Sequence, residues 1–273
     1  MGAWLDLLSA SPTPPLWLDD TDYSGRLLSN GRIPWLDATA LIAWRRQAVS
    51  LLKPSLVIID VGRVVAAFGA SVSNVFTASA SYRSVDLLDS LLSAPALRRH
   101  LVEVVRGLRQ SARLSVALVM PSPRAWPRVA YQNALLGATT TVSDDETDEA
   151  SVCIAGFLRS VAEAGVDVLL LVDDHDTRPR DASAVDLYQS VLNVAGHYGW
   201  DVGLKTPEVP AGDLKLDFMI APKGAIGVDI GAVFWEADDG VPATEPGGFW
   251  YSRVPADANP EQVLERLAAL RVR

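Results

Sequence analysis

Acidic and imidazole side chains follow two apolar runs of this sequence, at the point where each run ends. Asp60 follows the run 56–59, and Asp173 and His175 follow the run 168–172. Carboxylates and imidazoles exchange protons, and His175 would titrate near neutral pH without help from its surroundings. We therefore interpret Asp60, Asp173 and His175 as candidate catalytic residues for acid–base chemistry.

Basic, acidic and aromatic side chains recur near the ends of the other apolar runs. Guanidinium groups suit carboxylates and phosphates, so an anionic ligand is expected despite the negative total charge. Since neighbours on a strand face opposite sides, one of Trp250 and Tyr251 should point inward and the other toward a helix. The candidate substrate-binding residues are Asp19, Arg26, Arg63, Arg124, Lys205, Trp235, Tyr251 and Arg253.

Two other readings of the acidic residues stay open. Asp19, Asp173 and His175 could hold a divalent cation through oxygen and imidazole, although their spacing favours a site without metal. Asp19, Asp60 and Asp173 could instead cap helices that follow strands. The acidic run 144–149 is better explained as the solvated start of a helix, where carboxylates interact favourably with the helix dipole.

The elements that must position these residues are eight short apolar runs, mostly separated by helical patterns. Eight parallel strands of this kind close into one (β/α)8 TIM barrel, an α/β fold whose chemistry lies beyond the carboxyl ends of the strands. Short Pro- and Gly-rich connections around strands five to seven predict that at least one helix there is shortened or missing. The segment 64–82 is interpreted as an excursion over the mouth. The predicted strands are 16–18, 56–59, 115–120, 168–172, 201–204, 216–220, 229–235 and 248–251.

Composition places limits on the protein class. The 273 residues predict one barrel domain, 1–273, with 1–13 as an N-terminal segment that caps the barrel bottom. A net charge of −9 argues against nucleic acid or an anionic membrane as partner. Cys153 is the only cysteine, and no signal peptide or membrane span is apparent, so a reducing cytoplasmic setting is expected.

Several short motifs resemble one known superfamily, that of uroporphyrinogen decarboxylase and cobalamin-independent methionine synthase. The segment 165–173 is similar to its Gly-containing strand that ends in aspartate, and 247–255 with 259–263 is similar to its C-terminal ending. The run 120–123 stands where those proteins often carry a Gly-Pro turn, and 227–230 is also similar. The resemblance implies a (β/α)8 barrel.

The resemblance also implies two kinds of activity. Decarboxylases of the superfamily use an aspartate at the end of the second strand, with arginines holding carboxylates, and Asp60 stands there with Arg26, Arg32 and Arg63 nearby. Its methyltransferases hold zinc through a His-x-Cys pair and a later cysteine. The matching positions here read Lys-Thr-Pro at 205–207 and Ser-Arg at 252–253, so those ligands are absent.

The sequence thus predicts a metal-independent lyase, a decarboxylase, that acts on a small or medium carboxylated substrate and uses no cofactor. The alternatives are a methyltransferase or demethylase that uses a corrinoid or folate partner, and a non-catalytic binding protein on a degenerate barrel. The expected partner is a small anionic molecule, with no nucleic acid and no membrane, and the resemblance is compatible with a homodimer.

Overall fold

The chain folds as an α/β TIM barrel, as predicted. The computed structural model describes residues 3–72, 83–134, 140–236 and 240–271. Its eight strands are parallel and form one sheet in the order β1-β8-β7-β6-β5-β4-β3-β2. The strands are β1 Leu16–Asp19, β2 Leu56–Asp60, β3 Ser115–Pro121, β4 Val168–Val172, β5 Asp201–Lys205, β6 Phe218–Ala221, β7 Gly227–Asp229 and β8 Phe249–Arg253.

The helices surround this sheet, and none of those described is long and apolar enough to cross a bilayer. Asp60 and Ser143 cap the helices that follow them, and Ser143 exchanges hydrogen bonds with Glu146 in a capping box. The helices are α1 Ala3–Ala10, α2 Thr21–Ser29, α3 Ala38–Leu52, α4 Val61–Ser71, α5 Ser84–Leu92, α6 Pro95–Ser111, α7 Ala125–Ala134, α8 Asp144–Val161, α9 Ala182–Asp186, α10 Gln189–His197 and α11 Pro260–Arg271.

Alternate residues of each strand fill the barrel interior, because side chains on a strand change face at every step. The inner cluster is aromatic: the rings of Trp17, Phe218 and Phe249 lie with centroids 5.7 to 6.3 Å apart. Trp4 of α1 packs edge-on against Trp17 and Phe249, and its backbone N–H donates to Asp201 at the start of β5. Helix α1 therefore lies against the N-terminal end of the barrel.

Two strand glycines make room for these rings. A Cβ at Gly203 would lie 2.0 Å from the ring of Phe218, and one at Gly227 would lie 2.5 Å from the ring of Phe249. Contacts this short do not occur between real atoms, so the aromatic core dictates glycine at both positions. Glycine therefore interrupts the alternation of apolar and polar residues in β5 and β7, because rings on the neighbouring strands occupy the space.

The first and last strands of the hydrogen-bonded order meet at a seam. There the backbone N–H of Ser55 donates to the carbonyl oxygen of Leu16 at 3.1 Å, and the Leu16 N–H donates to the Ser55 hydroxyl at 2.9 Å. Strand β1 pairs in register with β8, and β2 pairs in register with β3, but β1 and β2 do not pair in register with each other. The barrel is thus nearly closed.

Three predicted elements are wrong. The part of 64–82 that the structure describes belongs mainly to α4, which runs from Val61 to Ser71 directly after β2; residues 73–82 lie outside the described part. Of the predicted strand 229–235, only Asp229 lies in a strand, as the last residue of β7, and Val233–Trp235 forms a 3₁₀ turn. The glycines near Arg26 and Arg32 predict a loop after the first strand, whereas Thr21–Ser29 forms helix α2.

Other predictions are confirmed. No helix separates β5, β6 and β7, whose connecting residues are all described. The acidic residues Asp144, Asp145 and Glu146 form the first turn of α8, where they face the positive end of the helix dipole. Tyr251 belongs to the inner cluster, and Trp250 packs on the outside of the sheet near α11.

Candidate active site

A cavity of 580 Å³ opens at the carboxyl ends of the strands, and we call it the mouth. One side of its lining is apolar, with Val119, Met120 and Val172, and the other carries acidic and basic groups. The charged side chains that line it are Asp19, Asp60, Arg63, Lys205, Asp229 and Arg253, together with the phenol of Tyr251.

Strand alternation explains why these particular residues meet. Trp17 and Ile58 point into the barrel, so Asp19 and Asp60, two residues further along each strand, also point inward. The same step of two leads from Gly203 to Lys205 and from Phe249 to Tyr251. The mouth is the uppermost inward-facing layer of the barrel.

Asp60 lies at the centre of this layer, with 21 % of its side chain exposed. Its Oδ1 accepts the backbone N–H of Arg63 at 2.9 Å, and its Oδ2 lies 3.8 Å from the Arg63 Nε. Burial, reinforced by the negative charge of Asp19, raises the pKa of Asp60 to about 6, although the N–H bond and the nearby guanidinium groups act in the opposite direction. Asp60 can therefore hold or release a proton near neutral pH.

Asp19 and Asp22 connect two arginines along one wall of the mouth. The Arg253 Nε lies 3.2 Å from Asp19 Oδ2, and an Arg63 terminal nitrogen lies 2.9 Å from Asp22 Oδ1. Arg253 also approaches Asp22 at 3.9 Å. The neighbouring Asp19 carboxylate raises the pKa of Arg253, so this guanidinium stays charged.

Lys205, Asp229 and Tyr251 continue the charged side of the mouth next to Asp19. The Lys205 Nζ lies 3.0 Å from Asp229 Oδ2 and 5.1 Å from the centre of the Tyr251 ring. The Tyr251 hydroxyl donates to Asp19 Oδ2 at 3.4 Å. Burial, with the charges of Asp19 and Asp229, raises the pKa of Tyr251 well above 10, so its phenol stays protonated.

The charges of the mouth are balanced within the described lining. Asp19, Asp60 and Asp229 oppose Arg63, Lys205 and Arg253, and each cation lies within 4 Å of a carboxylate. An anionic ligand would therefore have to share cations that are already paired, and protonation of Asp60 would shift the charge balance in its favour. The mouth is less cationic than its basic residues alone suggested.

Asp173 lies outside the mouth lining. It follows Val172, which points inward, so its side chain takes the opposite face and is only 4 % exposed. Its two oxygens accept the Ser122 hydroxyl at 2.5 Å and the Tyr188 hydroxyl at 3.1 Å. Burial raises the pKa of Asp173 to about 6, against the effect of these hydrogen bonds. The carboxylate holds together the segments after β3 and β4 and the start of α10.

Four other predicted site residues also lie outside the mouth lining. His175 is exposed, with Nδ1 3.4 Å from a nitrogen of Arg178, and Arg26 is exposed on α2. Arg124 donates to Asp144 at 2.5 Å. Trp235 is fully buried between the sheet and α11, where its Nε1 donates to the Ser252 hydroxyl at 2.8 Å. Asp60, Asp19, Arg63, Lys205, Tyr251 and Arg253 are the predicted residues that the structure brings together.

The proposed three-residue cation site does not form. Asp19 pairs with Arg253, Asp173 is enclosed by hydroxyl groups, and His175 lies at the surface. Throughout the described ranges, no three His, Cys, Asp or Glu residues group in a way that could hold a metal ion.

Asp229 takes part in the site but was not among the candidate residues. Asp229 was predicted to begin a long strand, whereas it is the last residue of β7. The turn signal that identifies this end is Gly231, which has φ of +70° and donates its N–H to Asp229 at 3.0 Å.

Fold and site together define a (β/α)8 barrel whose mouth carries a protonatable carboxylate between paired cations. No family model matches the chain, and no curated protein matches it. Among solved structures, a methyltransferase from Methanosarcina mazei is similar, with a TM-score of 0.54 at 11 % identity, over 98 % of this chain and 96 % of that chain. At this identity, the similarity shows a shared fold over the whole barrel.

Proposed function

We propose that this protein is a lyase that decarboxylates a small carboxylic acid bound in the mouth. The observation that carries the proposal is the position of Asp60, a carboxyl group with pKa raised to about 6, beside Arg63 and within the field of Arg253. Such a group can donate a proton at the pH where the arginines still hold an anion. The superfamily resemblance supports the same assignment.

The proposed step uses groups of this chain. Arg63 and Arg253 hold the substrate carboxylate, the bond between this carboxylate and the neighbouring carbon breaks, and CO₂ leaves. The electron pair stays on that carbon, which takes the proton of Asp60; the Asp60 carboxylate then regains a proton from water. Each turnover consumes one proton and releases one CO₂.

The apolar side of the mouth favours this reaction. Val119, Met120 and Val172 border the same cavity as Asp60. The arginines hold the carboxylate while it is charged, and the neutral CO₂ that forms can pass to this wall, where a carboxylate would be poorly solvated. Tyr251, which stays protonated, supplies a hydrogen-bond donor close to Asp19.

Methyl transfer with a corrinoid or folate partner is the second candidate. The similar fold of the methyltransferase from Methanosarcina mazei supports it. The single thiol of the chain, Cys153, lies in α8 outside the mouth lining, and burial raises its pKa to about 12. A methyl transferase of this design would therefore need a substrate that brings its own nucleophile.

Asp60→Asn is the decisive variant, because asparagine caps a helix about as well as aspartate but cannot donate the carboxyl proton. Asp37→Asn is a matched control: Asp37 caps α3 by accepting the Ala40 N–H at 2.9 Å and is not part of the mouth lining. We expect Asp60→Asn to retain its melting temperature and to lose at least about 100-fold in turnover.

The assay follows CO₂ release from a panel of mono-, di- and tricarboxylates in D₂O, with NMR detection of deuterium on the product carbon. Unchanged turnover in Asp60→Asn would overturn its role as proton donor. Carboxylate binding without any CO₂ release would favour a binding protein. Transfer of a labelled methyl group from methylcobalamin or methyltetrahydrofolate would favour the second candidate.

A further inference from the structure

A second cavity, of 360 Å³, lies beside the mouth between α4, α5 and α7, and we call it the annex. Its lining includes the buried side chains of Val65, Leu87, Leu91, Trp126 and Ala130, each no more than 8 % exposed. Asn133 supplies the polar side chain in the described lining, which contains no charged group. The annex is therefore an apolar space within the helical layer.

The annex and the mouth are neighbours that share part of their walls. Gly62, Ala66, Val129 and Asn133 line both cavities. Gly62 lies between Asp60 and Arg63 in the sequence, so the shared wall is directly next to the charged groups. A Cβ at Gly62 would come within 3.0 Å of Pro121 and 3.4 Å of Asp60 Oδ1, so glycine leaves space where the two cavities adjoin.

We propose that the annex holds the hydrocarbon part of the substrate whose carboxylate is bound in the mouth. This inference rests on the proposed function and names its substrate class: a carboxylic acid with an apolar tail. The mouth supplies cations and a proton donor at one end, and the adjoining annex supplies apolar surface without charge at the other. Cavities of about 150 Å³ accommodate benzene, so 360 Å³ admits more than a single ring.

The size of the effect follows from the burial of methylene groups. Each methylene transferred from water into an apolar site increases affinity by up to about fourfold. Affinity should therefore rise along the series butanoate, hexanoate, octanoate and then level off when the annex is full. Burial of apolar surface should also give a heat capacity change that becomes more negative with each added methylene.

The experiment is calorimetric titration of the full chain with these three acids and with the matching neutral amides. Ala130→Phe fills the annex from its buried wall, and Ala134→Phe fills it from its exposed rim, where folding is not at stake. Gln132→Phe, on the same helix but outside the annex lining, is the control. We expect both filling variants to lose the gain from butanoate to octanoate, about 10-fold or more, and to keep butanoate affinity.

The outcomes separate this inference from the proposed function. Carboxylates that bind with no dependence on chain length would overturn the annex as a tail site and leave the lyase proposal standing. Amides that gain affinity with chain length, without carboxylate binding, would support the annex and count against the arginine site. A chain-length gain that survives both filling variants, or no binding by either series, would overturn the inference.

Discussion

Asp173 offers a test of how strand alternation assigns roles to adjacent residues. Its pKa is raised from 3.8 to about 6 in the folded protein, so the folded state binds the proton more tightly than the unfolded chain does. The bound proton therefore adds to the stability of the folded protein. This contribution is fully present below about pH 3.8 and is lost as the pH rises to about 6. The difference in pKa corresponds to about 3 kcal/mol.

Asp173→Asn should remove the loss of stability that accompanies ionisation of Asp173, because an amide does not ionise. Its oxygen can accept the Ser122 hydroxyl, and its NH₂ can donate to the Tyr188 oxygen, so the hydrogen bonds are preserved in kind. We expect the stability of the variant relative to the native protein to rise by about 3 kcal/mol between pH 3.5 and pH 7. Urea unfolding across this range measures the difference.

Asp186→Asn is the control, since the Asp186 side chain is 57 % exposed. If the stability difference for Asp173→Asn did not change with pH, or changed in the opposite direction, the conclusion that burial dominates at Asp173 would be refuted. Decarboxylation assays on the same variant address its role: near-native turnover is expected from a residue outside the mouth, and a loss with native stability would return Asp173 to the catalytic candidates.

Three further variants probe the framework by denaturant unfolding. Asp20→Ala leaves Arg45, 2.7 Å away and similarly buried, without its counter-charge and should cost about 3–5 kcal/mol; a cost below about 1 would contradict a buried pair. Gly203→Ala should destabilise by about 2 kcal/mol or more through collision with Phe218, and Phe218→Leu in the same chain should relieve part of the cost. Ser143→Ala should cost about 1 kcal/mol through loss of the capping box, unless water replaces the cap.

The barrel was predictable because its strands are apolar on both faces and are followed by polar turns. Because the strands are apolar on both faces, the sequence did not indicate which residues at their ends face the mouth. In 168–172 every residue is apolar, so the sequence does not reveal that Val172 points inward and Asp173 outward. Position at a strand end was predictable, whereas the facing direction depended on the register of neighbouring strands.

The β5–β7 region shows a different limit. Its strands are short, and glycines replace the apolar residues that would mark an inward-facing position. Gly203 and Gly227 are explained by the rings of Phe218 and Phe249, which are distant in sequence. Trp235 was assigned to the mouth because the length of β7 could not be derived from an apolar run that continues into a 3₁₀ turn.

The seam between β1 and β2 has a consequence for the proton on Asp60. Asp19 ends one strand and Asp60 ends the other, so the two carboxylates stand on opposite sides of the seam. Their mutual repulsion contributes to the raised pKa of Asp60, and the same force pushes the two strands apart. Protonation of Asp60 removes this repulsion, so each proton given to a substrate restores a pair of like charges across the seam.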